Sequence, residues 1–233
     1  MMLREEDLPF LAEKGHVVSL VGGGGKTTLL YAMAGHCAAK GWRVLASTTT
    51  HIQRPASHWA RTEAERDALW AAGTFAVAGA PALQGKLTQP PELAEWMQQA
   101  DTVFLEADGA KRMPCKAPAD HEPVLRPESD ILLAVAGLSA VGRPLREVCF
   151  RLEWACGLLG VPPETGLTPT LLAQLLASPQ GGRKNAGARQ FYAVLNQADM
   201  PARRAAGEQT KRILQENYGV QAVLTAFAEG ERA

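Results

Sequence analysis

Val21-Gly22-Gly23-Gly24-Gly25-Lys26-Thr27-Thr28 is the stretch whose reading decides the fold. The apolar run His16-Val17-Val18-Ser19-Leu20-Val21 leads into it and reads as a buried parallel strand. A helix is expected after it, from Thr27 to Lys40. Leu29, Leu30, Met33 and Cys37 recur there at helical spacing, and Gly41 stands where a helix-ending glycine belongs. A glycine turn between strand and helix, followed by Lys-Thr, has the chemistry of a phosphate cradle. Gly22, Gly23, Gly24 and Gly25 let the backbone approach an anion and turn N–H groups toward it. The helix start adds roughly half a positive charge aimed at the same oxygens. Lys26 is placed to reach the β- and γ-phosphates of a nucleoside triphosphate, and Thr27 to offer its hydroxyl to Mg²⁺, with Thr28 a further phosphate-binding residue.

The loop is short. Where the longer G-x-x-x-x-G-K-[ST] pattern has its first glycine, this chain has Leu20. It is more similar to the G-x-x-G-K-T-T loops of Mur-ligase-like ATPases. Working outward, strands are expected at Trp42–Ser47, Thr74–Ala78, Asp101–Glu106, Ile131–Ala136, Phe191–Leu195 and Val220–Thr225. Helices are expected at Ala60–Ala72, Glu92–Gln99, Leu152–Ala177 (interrupted near Pro162-Pro163) and Ala202–Asn217. Alternating strands and helices imply a mostly parallel sheet flanked by helices, a three-layer α/β sandwich. Residues 1–233 are expected to form a single domain with a long irregular segment at 108–127, which holds Pro114, Pro118, Pro123 and Pro127.

Ligands of such sheets sit at the carboxyl ends of the strands, so the residues there are the candidates. Thr48-Thr49-Thr50-His51 ends the second strand; its hydroxyls, Thr50 above all, suit a metal, a phosphate or an attacking water, although threonine favours strands in any case. Leu105-Glu106-Ala107-Asp108-Gly109 ends the third strong strand. An apolar strand closing on a carboxylate places an acid beside the metal, and Glu106 and Asp108 share a face if the strand stays extended. One carboxylate can hold the metal while the other orients water. Lys111, with Arg112 and Lys116, brings positive charge for a phosphate or an anionic substrate. His121-Glu122-Pro123 has no second ligand at useful spacing, so no metal site is read there.

Asn196-Gln197-Ala198-Asp199 follows the Phe191–Leu195 strand and resembles the N-K-x-D guanine motif, with Gln197 in place of lysine. A carboxylate at Asp199 can accept from guanine N1–H and its amino group together, and Asn196 would brace the loop and meet the base edge. The competing reading of Asp199 is a helix cap before Pro201.

Composition removes several classes. Lys+Arg and Asp+Glu number 24 each, so there is no basic excess for a nucleic-acid partner. No apolar run reaches membrane-spanning length, and Met1 to Glu13 lacks a signal-like core. The cysteines Cys37, Cys115, Cys149 and Cys156 form neither C-x-x-C nor a zinc pattern, which fits reduced thiols in the cytoplasm.

Together these motifs resemble the selenium-dependent hydroxylase accessory (YqeC-like) family of P-loop NTPases. The resemblance is carried by the glycine loop, Thr48-Thr49-Thr50-His51-Ile52, Glu106-Ala107-Asp108-Gly109-Ala110-Lys111, Lys116-Ala117-Pro118, His121-Glu122-Pro123, Gly181-Gly182-Arg183-Lys184 and Asn196-Gln197-Ala198-Asp199. It implies Mg²⁺-dependent binding and hydrolysis of GTP or ATP, linked to maturation of, or cofactor insertion into, a selenium-dependent molybdenum hydroxylase. Cys115 stands where the family is expected to carry an aliphatic residue, which speaks against an essential thiol. Two other activities fit the residues: a small-molecule kinase or ATP-dependent ligase using the cationic loop for its acceptor, and a nucleotide-regulated scaffold with negligible turnover.

Overall fold

A computed structural model describes residues 3–227, so both ends of the expected 1–233 domain lie outside the described residues. In chain order the elements are β1 (Val17–Gly22), α1 (Lys26–Ala38), β2 (Val44–Thr48), β3 (His51–Gln53), β4 (Trp59–Ala60), α2 (Glu63–Ala71), β5 (Ala76–Ala78), β6 (Ala80–Pro81), β7 (Lys86–Thr88), α3 (Leu93–Gln99) and β8 (Thr102–Glu106). They continue with β9 (Cys115–Lys116), β10 (Ile131–Gly137), α4 (Leu145–Val148), β11 (Cys149–Phe150), α5 (Leu152–Leu159), α6 (Pro169–Ala177), β12 (Gln190–Asn196), α7 (Pro201–Tyr218) and β13 (Gln221–Leu224).

Among the described residues the main sheet has eight strands in the order β13-β12-β10-β1-β8-β2-β5-β4, all parallel. Its central strands are continuous apolar runs because both faces are covered. Successive residues of β10 show this: Leu133 packs with α1 residues Leu29, Leu30 and Met33, whereas Leu132 and Ala134 pack with Leu172 and Leu176 of α6. Toward the β2–β5 side, Leu45, Val103 and Leu105 pack on Leu93, Trp96 and Met97 of α3. The three-layer α/β sandwich expected from the sequence is therefore the fold observed.

Several local readings need correction. Ala60 belongs to β4 rather than to a helix; α2 starts after Thr62, whose side chain accepts the Glu65 N–H as an N-cap. His51 does not end β2 but opens β3, a short strand of an antiparallel β3-β7-β6 sheet that sequence reading missed. The 108–127 segment is not wholly irregular: β9 pairs in parallel with β11, with Cys115 opposite Cys149 and Lys116 opposite Phe150. No helix among the described residues is long and apolar enough to cross a membrane.

Candidate functional site

β1 lies between β10 and β8, and the carboxyl ends of all three meet at the glycine loop. The loop is packed from two sides by backbone. Gly23 N–H donates to Val135 O at the end of β10, and Gly24 N–H donates to Met113 O from the segment before β9. Gly22 N–H donates to both carboxylate oxygens of Asp108, at 3.2 and 3.0 Å. The amides left for a ligand are therefore those of Gly25 to Thr28, the first turn of α1, which have no helical acceptor of their own.

Lys26 is folded into the loop. Its Nζ donates to Gly22 O at 2.7 Å and lies 3.2 Å from Asp108 and 3.7 Å from Glu106. All three charged side chains are buried. Burial pulls the Lys26 ammonium down, but the Asp108 and Glu106 charges outweigh it and hold it above the ordinary lysine value. Burial pushes the Glu106 carboxyl up, against the opposing pull of Lys26 and the Thr27 hydroxyl. Thr27 Oγ1 donates to Glu106 Oε2 at 2.7 Å. A hydroxyl that gives its proton to a carboxylate keeps its lone pairs for a cation.

The threonines at the end of β2 are tied to the same strand end. Thr48 Oγ1 donates to Glu106 O at 2.8 Å, Thr49 N–H donates to the same carbonyl, and Thr50 N–H donates to Thr48 Oγ1 at 3.0 Å. The structure thus brings Lys26, Thr27, Glu106, Asp108 and the Thr48–Thr50 turn together. It puts Lys111 elsewhere: its ammonium sits 5.3 Å from the Phe150 ring centre, on a backbone in the left-handed region (φ +48°).

Beside this centre lies an ionic chain that sequence reasoning missed. Lys116 Nζ donates to Gly109 O and pairs with Asp108 at 3.0 Å and Glu122 at 2.9 Å, while Arg151 Nε donates to Glu122 at 3.0 Å. Burial pushes Glu122 up, but Lys116, Arg151 and the Ala119 N–H together bring it down to about 2. The motifs Lys116-Ala117-Pro118 and His121-Glu122-Pro123 were visible as residues; their pairing was not. Glu122→Gln is expected to cost about 2 kcal/mol at pH 7. The folded value lies below the ordinary 4.5, so this stabilisation is present above pH 4.5 and fades as the pH falls toward 2. Urea melts should show the gap between wild type and variant closing from pH 7 to pH 3; a constant gap contradicts this account.

Asn196 and Asp199 stand at the end of β12, next to a pocket of about 290 Å³. Asn196 uses both ends of its amide within the protein: Nδ2 donates to Gly24 O at 2.8 Å, and Oδ1 accepts from Thr225 Oγ1 at 2.9 Å. Asp199 Oδ1 accepts from Arg203 Nη1 at 2.8 Å. Gln197, in the left-handed region (φ +66°), accepts from Ser139 Oγ at 2.6 Å. Arg203, Ser139 and Gln197 carried no sequence signal for this pocket beyond the position of Gln197 in the N-K-x-D-like loop.

With this geometry in view, the comparisons are specific. A family profile described as "YqeC protein" matches residues 18–153, which run from β1 into α5 and include the loop, both carboxylates, Lys116, Glu122 and Arg151. The protein YqeC of Escherichia coli (strain K12) is 35% identical over 191 residues, covering 76% of this chain and 75% of that protein. This chain belongs to the YqeC family. Among solved structures, HypB from Helicobacter pylori in complex with nickel aligns over 95% of this chain and 83% of its own, at 12% identity and a TM-score of 0.39. The match to the YqeC profile stops before β12, so the Asn196–Arg203 pocket lies outside the profile-matched part of the YqeC family.

Proposed function

We propose that this chain binds a nucleoside triphosphate with Mg²⁺, GTP or ATP, and hydrolyses it. The observation that carries the reading is the placement of Lys26 and Thr27, at the α1 start whose first amides have no helical acceptor, against Glu106 and Asp108 at the end of β8. The donor set suits magnesium. Mg²⁺ takes hard oxygens, one or two carboxylates and the phosphates themselves, rather than an all-protein cage. No group of three or more His, Cys, Asp and Glu among the described residues could hold a metal alone. Thr27 Oγ1 and Glu106 would hold the ion; bound there, Mg²⁺ would neutralise charge on the β- and γ-phosphate oxygens.

The protein's own groups do the rest. The Gly25–Thr28 amides receive phosphate oxygens, and Lys26 swings from Gly22 O onto the β- and γ-phosphates. Asp108 keeps Gly22 and Lys26 in place from behind. Glu106 and Thr50 orient the attacking water, Asn196 braces the loop from Gly24 to Thr225, and Asp199 meets the base. In the cell we place this turnover in the cytoplasm, in support of maturation or cofactor insertion of a selenium-dependent molybdenum hydroxylase. One arrangement favours a second reading, transfer to an anionic acceptor: Lys111, Lys116 and Arg151 all lie within 5.8 Å of the Phe150 ring.

Phosphate release from GTP and ATP with Mg²⁺ tests the proposal. The wild type should turn over, and Glu106→Gln should slow release about a hundredfold while triphosphate still binds. Equal release by both proteins, or none from either, refutes it.

A further inference from the structure

Lys111 and Arg112 are cations that the phosphate site does not use. The charges beside that site balance without them: Lys26, Lys116 and Arg151 alternate with Glu106, Asp108 and Glu122. Lys111 and Arg112 add charge in excess of this chain, and among the described residues neither has a carboxylate partner.

Backbone pairing fixes where the excess collects. β9 and β11 set Lys116 opposite Phe150, and Ala117 N–H donates to Phe150 O. Arg151 follows Phe150 directly, and its guanidinium lies 5.0 Å from the ring centre. Lys111 comes to the same ring, at 5.3 Å, from the turn in which Met113 N–H donates to Ala110 O. Like charges gathered on one partly exposed ring repel each other. Lys111, Arg112 and Arg151 also hold left-handed backbones, at φ +48°, +64° and +63°, which long side chains seldom adopt. Such strain persists where the surroundings impose it, and it gathers at ligand sites.

The donors are of a definite kind. Arg151 gives Nε to Glu122 at 3.0 Å, which leaves Nη1 and Nη2 without an acceptor among the described residues. That end of the guanidinium is a planar fork matched to two oxygens of a phosphate or a carboxylate. Lys111 adds a point charge with three donors. The Phe150 ring beside them offers apolar cover to the rest of a small molecule.

We propose that Lys111 and Arg151, gathered on Phe150, form a binding site for a small molecule bearing an oxyanion group, a phosphate or a carboxylate. Asp108 and Lys116 set this site off from the phosphate loop. Glu122 holds the Arg151 fork from behind, and the ligand neutralises the charge that Lys111 brings in excess.

The test is titration calorimetry of inorganic phosphate and of succinate, without nucleotide, into wild type, Lys111→Ala, Lys111→Arg, Lys111→Glu and Arg151→Lys, with thermal melts alongside. Wild type should bind at least one of the two anions. Lys111→Ala should weaken that binding about tenfold and leave the melt nearly unshifted, since the side chain is exposed. Lys111→Arg should keep the binding, and Lys111→Glu should abolish it. Arg151→Lys keeps the charge but loses the fork, and should weaken binding about tenfold. Which anion binds tells a phosphate-bearing from a carboxylate-bearing ligand, and either supports the site. A wild type that binds neither overturns the proposal. Binding that persists unchanged in Lys111→Glu also overturns it, because the anion then sits elsewhere, as on the Gly25–Thr28 amides. The site rests on the second reading above only for the sign of its ligand; anion binding here with no phosphate transfer would end that reading and leave the site standing.

Discussion

Lys26→Ala is expected to lower the folding stability by about 3 kcal/mol at pH 7, before any ligand is considered. A lysine that only waits for phosphate could be removed at little cost. This one is the buried counter-ion of two buried carboxylates, 3.2 Å from Asp108 and 3.7 Å from Glu106. Asp108 keeps a second cation in Lys116, at 3.0 Å, and the Gly22 N–H. Among the described residues Glu106 keeps the Thr27 hydroxyl but no second cation, so the loss falls on it. Removing one partner of a buried pair leaves the other charged, desolvated and unpaired. Glu106→Gln in the Lys26→Ala background should therefore recover at least half of the loss in urea melts, although it destabilises nothing else in common with Lys26. The pH dependence has a definite sign. Burial already holds Glu106 above its ordinary value, and a group raised in the folded state contributes stability that is lost as the pH rises through that value. The deficit of Lys26→Ala should be smaller at pH 5 than at pH 8. A deficit independent of pH, with no rescue by Glu106→Gln, would sink the counter-ion account.

The sheet was legible wherever a strand is a continuous apolar run. β1, β8, β10 and β12 are buried on both faces, and each is written as such in the chain. The short strands were not, because β3 and β7 each bury a single side chain, Ile52 or Leu87, and so have no pattern to read. The site divides in the same way. Lys26 and Thr27 were readable because the loop is contiguous, and Glu106 and Asp108 because they close an apolar strand. The Lys116–Glu122–Arg151 chain was invisible, since it joins strand β9, the irregular segment after it and the residue before α5. Arg66 makes the same point in the core. In α2 it has the sequence of a surface charge, yet it is buried between the rings of Trp70 and Trp96, at 4.7 and 5.0 Å, with Asp67 and Gln99 accepting from it. Burial by partners distant in the chain leaves no local periodicity.

Gly24→Ala is expected to cost about 3 kcal/mol or more, or to prevent folding, whether or not any nucleotide binds here. A Cβ at that position would lie 2.1 Å from Gly137 N, 2.4 Å from Gly137 Cα and 2.8 Å from Pro114 O. All three are backbone atoms, held by the end of β10 and by the Gly137 N–H to Pro114 O bond, so no side chain can turn away to make room. The backbone there is also left-handed, at φ +76°. Gly142→Ala is the matching control: its φ is +85°, but nothing lies within 4 Å of its Cβ, so it carries only the conformational cost of about 1 kcal/mol. Chemical denaturation of the two variants separates close packing from backbone preference, and equal losses would show that packing contributes nothing. The point bears on function as well as stability. Gly22, Gly23 and Gly24 give their N–H groups to Asp108, Val135 and Met113. Their glycine identity thus follows from how tightly the loop is enclosed, and it does not by itself specify a phosphate. The case for an anion rests instead on the open amides of Gly25 to Thr28, and on a lysine and a threonine hydroxyl held against two buried carboxylates.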